Sequence, residues 1–92
     1  MSHRHEALIR TIFHDPISGN IHWREVESLL SHLGAAVEQI GGGRIRAKLG
    51  HAESVLHRPH HGSTLDRSAV RDLRGFLAAG GATPSMIEAA RH

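Results

Sequence analysis

Leu8, Ile9, Ile12 and Phe13 recur at helical spacing and stop before Asp15-Pro16, which predicts a short first helix over residues 5–13. Ser18-Gly19-Asn20 reads as a turn. Trp23, Val26, Leu29, Leu30 and Leu33 then share one side of a second helix over residues 23–33, closed by Gly34. Glu25 and Glu27 fall in its first turns, where acids favour the helix dipole. After Gly34 the period drops to two. Residues 35–40, 44–49 and 53–58 read as three strands, joined by Gly41-Gly42-Gly43 and by Gly50-His51. Pro59 ends the third because it has no N–H to give to a ladder. Ala69, Val70, Leu73, Phe76 and Leu77 mark the buried side of a helix over residues 66–79, stopped by Gly80-Gly81. Arg67, Arg71 and Arg74 line its other side and read as a solvated face. Pro84 opens one or two further turns.

The order helix, helix, three strands, helix predicts an α+β fold: a three-stranded antiparallel sheet with helices packed on one face (α-α-β-β-β-α). The two-residue period puts Ile45, Ala47 and Leu49 under the helices and Arg44, Arg46 and Lys48 on the open side. The third strand leaves its parity open. If Leu56 faces the core, Val55 and His57 share the open side; if Val55 is buried, His57 turns toward the helices. Leu56 inward is the favoured reading. At 92 residues the chain fits a single domain, 1–92, with residues 1–15 as an N-terminal helical extension and 84–92 as a tail expected to fray.

Net charge is only +2, but it is unevenly spread. Residues 1–40 carry three arginines against five acids, whereas residues 41–61 carry Arg44, Arg46, Lys48 and Arg58 against Glu53 alone. The positive field is therefore concentrated in the middle third, where it would attract a polyanion. No cysteine is present, which removes disulfides and thiolate ligands and suits a reducing cytoplasm. Apolar runs are far short of a membrane span, and no signal-peptide stretch follows Met1, so a soluble cytoplasmic protein is expected.

The chain resembles the HicA family of small bacterial toxins over roughly residues 20–84. The resemblance is carried by Trp23-Arg24-Glu25-Val26-Glu27-Ser28-Leu29-Leu30 with Leu33-Gly34-Ala35, and by the glycine turn and its basic strand. Pro59-His60-His61 and the helix bearing Val70, Leu73 and Leu77 before Gly80-Gly81 complete it. It implies a fold like a double-stranded-RNA-binding domain, endoribonuclease activity on mRNA, an RNA-facing sheet and a HicB-like antitoxin partner. The family's Gly-Ser-His, which holds its catalytic histidine, aligns with Gly42-Gly43-Arg44. A guanidinium cannot shuttle protons near neutrality, so that role does not transfer to position 44.

Metal-independent RNA cleavage needs a base for the 2′-hydroxyl proton, an acid for the leaving oxygen, and cations for the charge building on phosphorus. Arg44, Arg46, Lys48 and Arg58 are the candidate RNA-binding cations, and His57, His60 and His61 the candidate proton-transfer groups. No metal or cofactor is expected, because no HExxH-type spacing is present and arginines crowd these histidines. Two readings follow: a HicA-like endoribonuclease toxin, or a catalytically impaired HicA-like module that binds RNA or an antitoxin. Trp23 is expected in the core, and with only three aromatics in the chain, shape and phosphate recognition outweigh base stacking.

Overall fold

A computed structural model describes residues 3–59 and 64–90. Its elements are α1 (His3–Ile12), α2 (Trp23–Leu33), β1 (Ala36–Gly41), β2 (Arg44–Leu49), β3 (Ala52–His57), α3 (Arg67–Ala79) and α4 (Pro84–Ala90). The architecture is the α+β arrangement read from the sequence, an antiparallel sheet in the order β1-β2-β3 with the helices on one side. Leu8, Ile9 and Ile12 of α1, Val26, Leu29 and Leu30 of α2, and Val70, Leu73 and Leu77 of α3 converge on Ile45, Ala47 and Leu56 of the sheet. This shared core buries the inner face of β2 and β3 and leaves their other face to solvent.

Local sequence explains where each element stops. Glu25 accepts the backbone N–H of His22 at 3.4 Å across the start of α2, and Gly34 ends it at φ 80, a left-handed value that glycine adopts without strain. Asp66 caps α3 by accepting the Ala69 N–H at 2.8 Å. Gly42 and Gly43, at φ 62 and 73, turn β1 into β2, since two consecutive positive φ values match the twist of a tight hairpin.

Arg74 does not belong to a solvated face. Its Nε donates to the Ile12 carbonyl at 2.6 Å, its Nη2 to the His14 carbonyl, and its Nη1 to Asp15 at 3.2 Å. The guanidinium thus satisfies carbonyls at and beyond the end of α1 and ties that helix to α3. Arg67 and Arg71 remain exposed. β1 is exposed along most of its length. Register places Val37 opposite Ala47, on the helix side, yet Val37 is 50% exposed.

Candidate nucleic-acid interface

Strand parity resolves with Leu56 inward, at 4% exposure, and His57 outward. The antiparallel register then sets Arg44 opposite His57, Arg46 opposite Val55 and Lys48 opposite Glu53. All six side chains occupy the open face, and all but Val55 can make charge-assisted contacts. Arg58 follows β3, its N–H donating to the Gly43 carbonyl at 2.8 Å, so the glycine turn and the end of β3 are held together; alternation turns its side chain away from the His57 side, and it borders the cleft by α3. His60 and His61 lie outside the described residues.

The open face is less uniformly cationic than the β2 sequence suggests. Arg46 pairs with Glu38 of β1 at 3.1 Å and with Glu53 of β3 at 3.5 Å. Two acids from flanking strands therefore neutralise the central cation. Arg44, Lys48 and Arg58 have no carboxylate within ion-pair distance among the described residues, although the Arg44 Nε donates to the Gly41 carbonyl at 3.4 Å. Unpaired positive charge on this face thus lies at the two ends of the row, Arg44 and Lys48, and the Arg44 end also holds His57.

A cleft of about 440 Å³ opens at that same end. His57, Arg58 and Pro59 form one wall, and the first turns of α3 form the other with Asp66, Ser68 and Asp72. Trp23, Leu56, Leu65 and Leu73, each buried, supply apolar surface between them. Trp23 is the core residue expected, 6% exposed, but it also borders this cleft, and its indole Nε1 is buried without a hydrogen-bond partner among the described residues. Among the described residues no group of three His, Asp or Glu side chains is placed to hold a metal ion, and no helix is long and apolar enough to cross a membrane.

Sequence reading missed three members of this region. Composition and apolar periodicity place Glu38 only in the acidic first third of the chain and Trp23 in the core, and single out nothing at Asp72. Helical spacing carried a signal for Asp72, which stands three residues after Ala69 and six after the cap Asp66, on the side that borders the sheet. No such signal exists for Glu38, whose outward direction depends on a strand irregularity.

A family model described as HicA toxin of bacterial toxin–antitoxin matches residues 23–80, from the first residue of α2 to the glycine after α3. No curated protein and no solved structure matches the chain significantly.

Proposed function

Because the chain belongs to the HicA family of bacterial toxin–antitoxin toxins, we propose that it acts on mRNA as a metal-independent endoribonuclease. RNA lies across the open sheet face, with Arg44 and Lys48 against phosphates, Arg58 at the edge beside the cleft, and Arg46 joining when its glutamates yield. The observation that carries this reading is the exposed His57 opposite Arg44 at the mouth of the cleft. It offers a proton-transfer group beside a fixed cation although position 44 holds no imidazole.

In this reading an imidazole removes the 2′-hydroxyl proton and the 2′-oxygen attacks phosphorus. The P–O5′ bond breaks, and the departing oxygen takes up a proton. The products are a 2′,3′-cyclic phosphate and a 5′-hydroxyl. Arg44 and Arg58 stabilise the charge gathering on the non-bridging oxygens. His57 is the first choice for the base, with His60 and His61 as the other imidazoles of the same segment. A HicB-like antitoxin in the cytoplasm would cover the same face in the inhibited complex.

The test is cleavage of a structured RNA by the purified chain with chelator present, analysed for 2′,3′-cyclic ends. His57→Ala should lower the rate by about 10²–10⁴-fold while the melting curve is kept. Full activity in His57→Ala, His60→Ala and His61→Ala alike would remove histidine catalysis. Arg44 in the histidine slot and the ion-paired Arg46 favour a second reading, a module that binds RNA or antitoxin without cutting. Binding without fragments would select it.

A further inference from the structure

We propose that the cleft between the end of β3 and the start of α3 is a base-specific subsite that seats one unstacked guanine. The inference rests on the RNA-binding reading and adds to it which base is read, and by which side chains.

The cleft is built unlike the sheet face beside it. At about 440 Å³ it lies within the roughly 300–1,000 Å³ range of small-ligand sites. Trp23, Leu56 and Leu73 give it an apolar lining suited to a flat ring, whereas Asp66 and Asp72 put carboxylates on the α3 wall. Those acids repel phosphate. A strand whose backbone runs over Arg44 and Arg58 therefore keeps its phosphates outside and turns a base inward, as single-stranded RNA does when its Watson–Crick edges are read.

Two features select the base. Asp66 already spends one oxygen on the Ala69 N–H, but the Asp72 carboxylate has no hydrogen-bond or ion-pair partner among the described residues. An ionised carboxylate accepts through two oxygens at once and donates through none. Guanine alone among the four RNA bases offers two adjacent donors, N1–H and the N2 amino group, on one edge. Trp23 borders the same cleft, and its indole N–H is buried with no acceptor among the described residues, which costs free energy in the unbound protein. The guanine O6 and N7 are acceptors on the neighbouring edge of the same ring. Adenine and cytosine present a single amino donor there, and uracil a single N–H between two carbonyls.

The experiment measures binding of the full chain to 2′-O-methyl pentamers, which resist 2′-hydroxyl cleavage, by fluorescence anisotropy. UUGUU is compared with UUUUU, UUAUU and UUCUU. A bidentate base contact predicts about tenfold tighter binding of UUGUU than of the other three. Asp72→Ala, on an exposed helix position, should bring that ratio close to one. Trp23→Phe keeps the ring, removes the N–H and should also shrink the ratio. The ratio separates recognition from charge, because deleting an acid beside a cationic strand would otherwise tighten every pentamer equally. Four equal affinities that all weaken steeply with salt would overturn the guanine subsite and leave RNA binding standing. So would a preference for UUGUU that survives Asp72→Ala. Absence of binding by every pentamer and by a longer structured RNA would overturn the RNA reading itself, and this inference with it.

Discussion

Arg46 shows how one side chain changes the meaning of a strand. As written in β2 it is the middle of three outward cations; in the fold it is held by Glu38 and Glu53 at 3.1 and 3.5 Å. All three side chains are about half exposed or more, so each pair contributes little to stability, roughly 0–1 kcal/mol. Their effect falls on binding instead, since a phosphate must compete with two carboxylates for one guanidinium. Glu38→Gln is therefore expected to tighten RNA binding by about two- to fivefold at low salt, the gain fading as salt rises. Titrations of wild type and variant at two ionic strengths would show it.

Two glycines of the C-terminal region separate packing from propensity at the same scale. A Cβ built on Gly80 would stand 2.7 Å from Leu49 Cδ2 and 2.9 Å from its Cγ, although the backbone there, at φ −86, suits any residue. Gly80→Ala should cost about 1–3 kcal/mol by overpacking against β2. Gly75 lies inside α3 with nothing within 4 Å of an added Cβ. Gly75→Ala should instead gain about 0.5–1 kcal/mol, because alanine is the better helix former and restricts the unfolded chain. Urea unfolding of both variants would check the opposite signs.

Among elements, β1 marks where the sequence stopped being informative. The order of helices and strands was legible because apolar spacing changes from 3.6 to 2 after Gly34 and returns after Pro59. The outward row of β2 and the inward Leu56 followed from parity alone. Glu38 did not. Counting back from a two-residue Gly42-Gly43 turn pairs Glu38 with Ala47, on the helix side. A register shift between Gln39 and Gly41 pairs it with Arg46 instead, on the open face. A bulge of one residue exchanges the two faces of a strand, and neither composition nor period announces it. The same irregularity turns Val37 and Gln39 to the helix side, where β1 is left uncovered.

α1 offers the other element-scale test. Its arginine tie to α3 was invisible in the sequence, since Arg74 shares its spacing with the exposed Arg67 and Arg71. Arg74→Ala removes donors from the carbonyls of Ile12 and His14 and from Asp15, and should cost about 2–3 kcal/mol; Lys should not rescue it, lacking the planar fork. At the other end of α1, His5 stacks on His32 of α2 with ring centroids 4.4 Å apart, and its Nε2 lies 3.0 Å from the Ser28 hydroxyl. Desolvation first, then the charges of His32 and Arg4, hold His5 below the usual histidine pKa of about 6.5. As pH falls, the unfolded chain takes up this proton before the folded one. The His5 contribution is thus complete above about 6.5 and is lost as pH drops through the lowered value. Melting temperature should decline from pH 7 toward 5, and His5→Gln should flatten part of that slope.

At the scale of the whole molecule, the net charge of +2 conceals an arrangement that only the fold discloses. The match to the HicA family spans residues 23–80, so α1 lies outside it, as does α4, and Arg10 of α1 reaches Glu88 of α4 at 3.5 Å. α1 and α4 thereby meet on the helical layer, and the face opposite is left to the sheet. On that face Arg44 and Lys48 have no carboxylate partner among the described residues and Arg46 is already paired, while Arg58, likewise without such a partner among them, stands at the edge beside the cleft. Counterion release scales with the number of phosphates neutralised, by about 0.7–0.9 per contact in a plot of log affinity against log salt. If Arg46 stays with its glutamates, three cations should give RNA binding a slope of about −2 to −2.7; if Arg46 joins as a fourth, the slope reaches about −2.8 to −3.6. Measured on wild type, and on a Glu38→Gln, Glu53→Gln double variant that frees Arg46, the slope should steepen by nearly one contact. An identical slope in both would mean that phosphate displaces the glutamates unaided, and a flat response in both would remove RNA from this face and leave it to a protein partner.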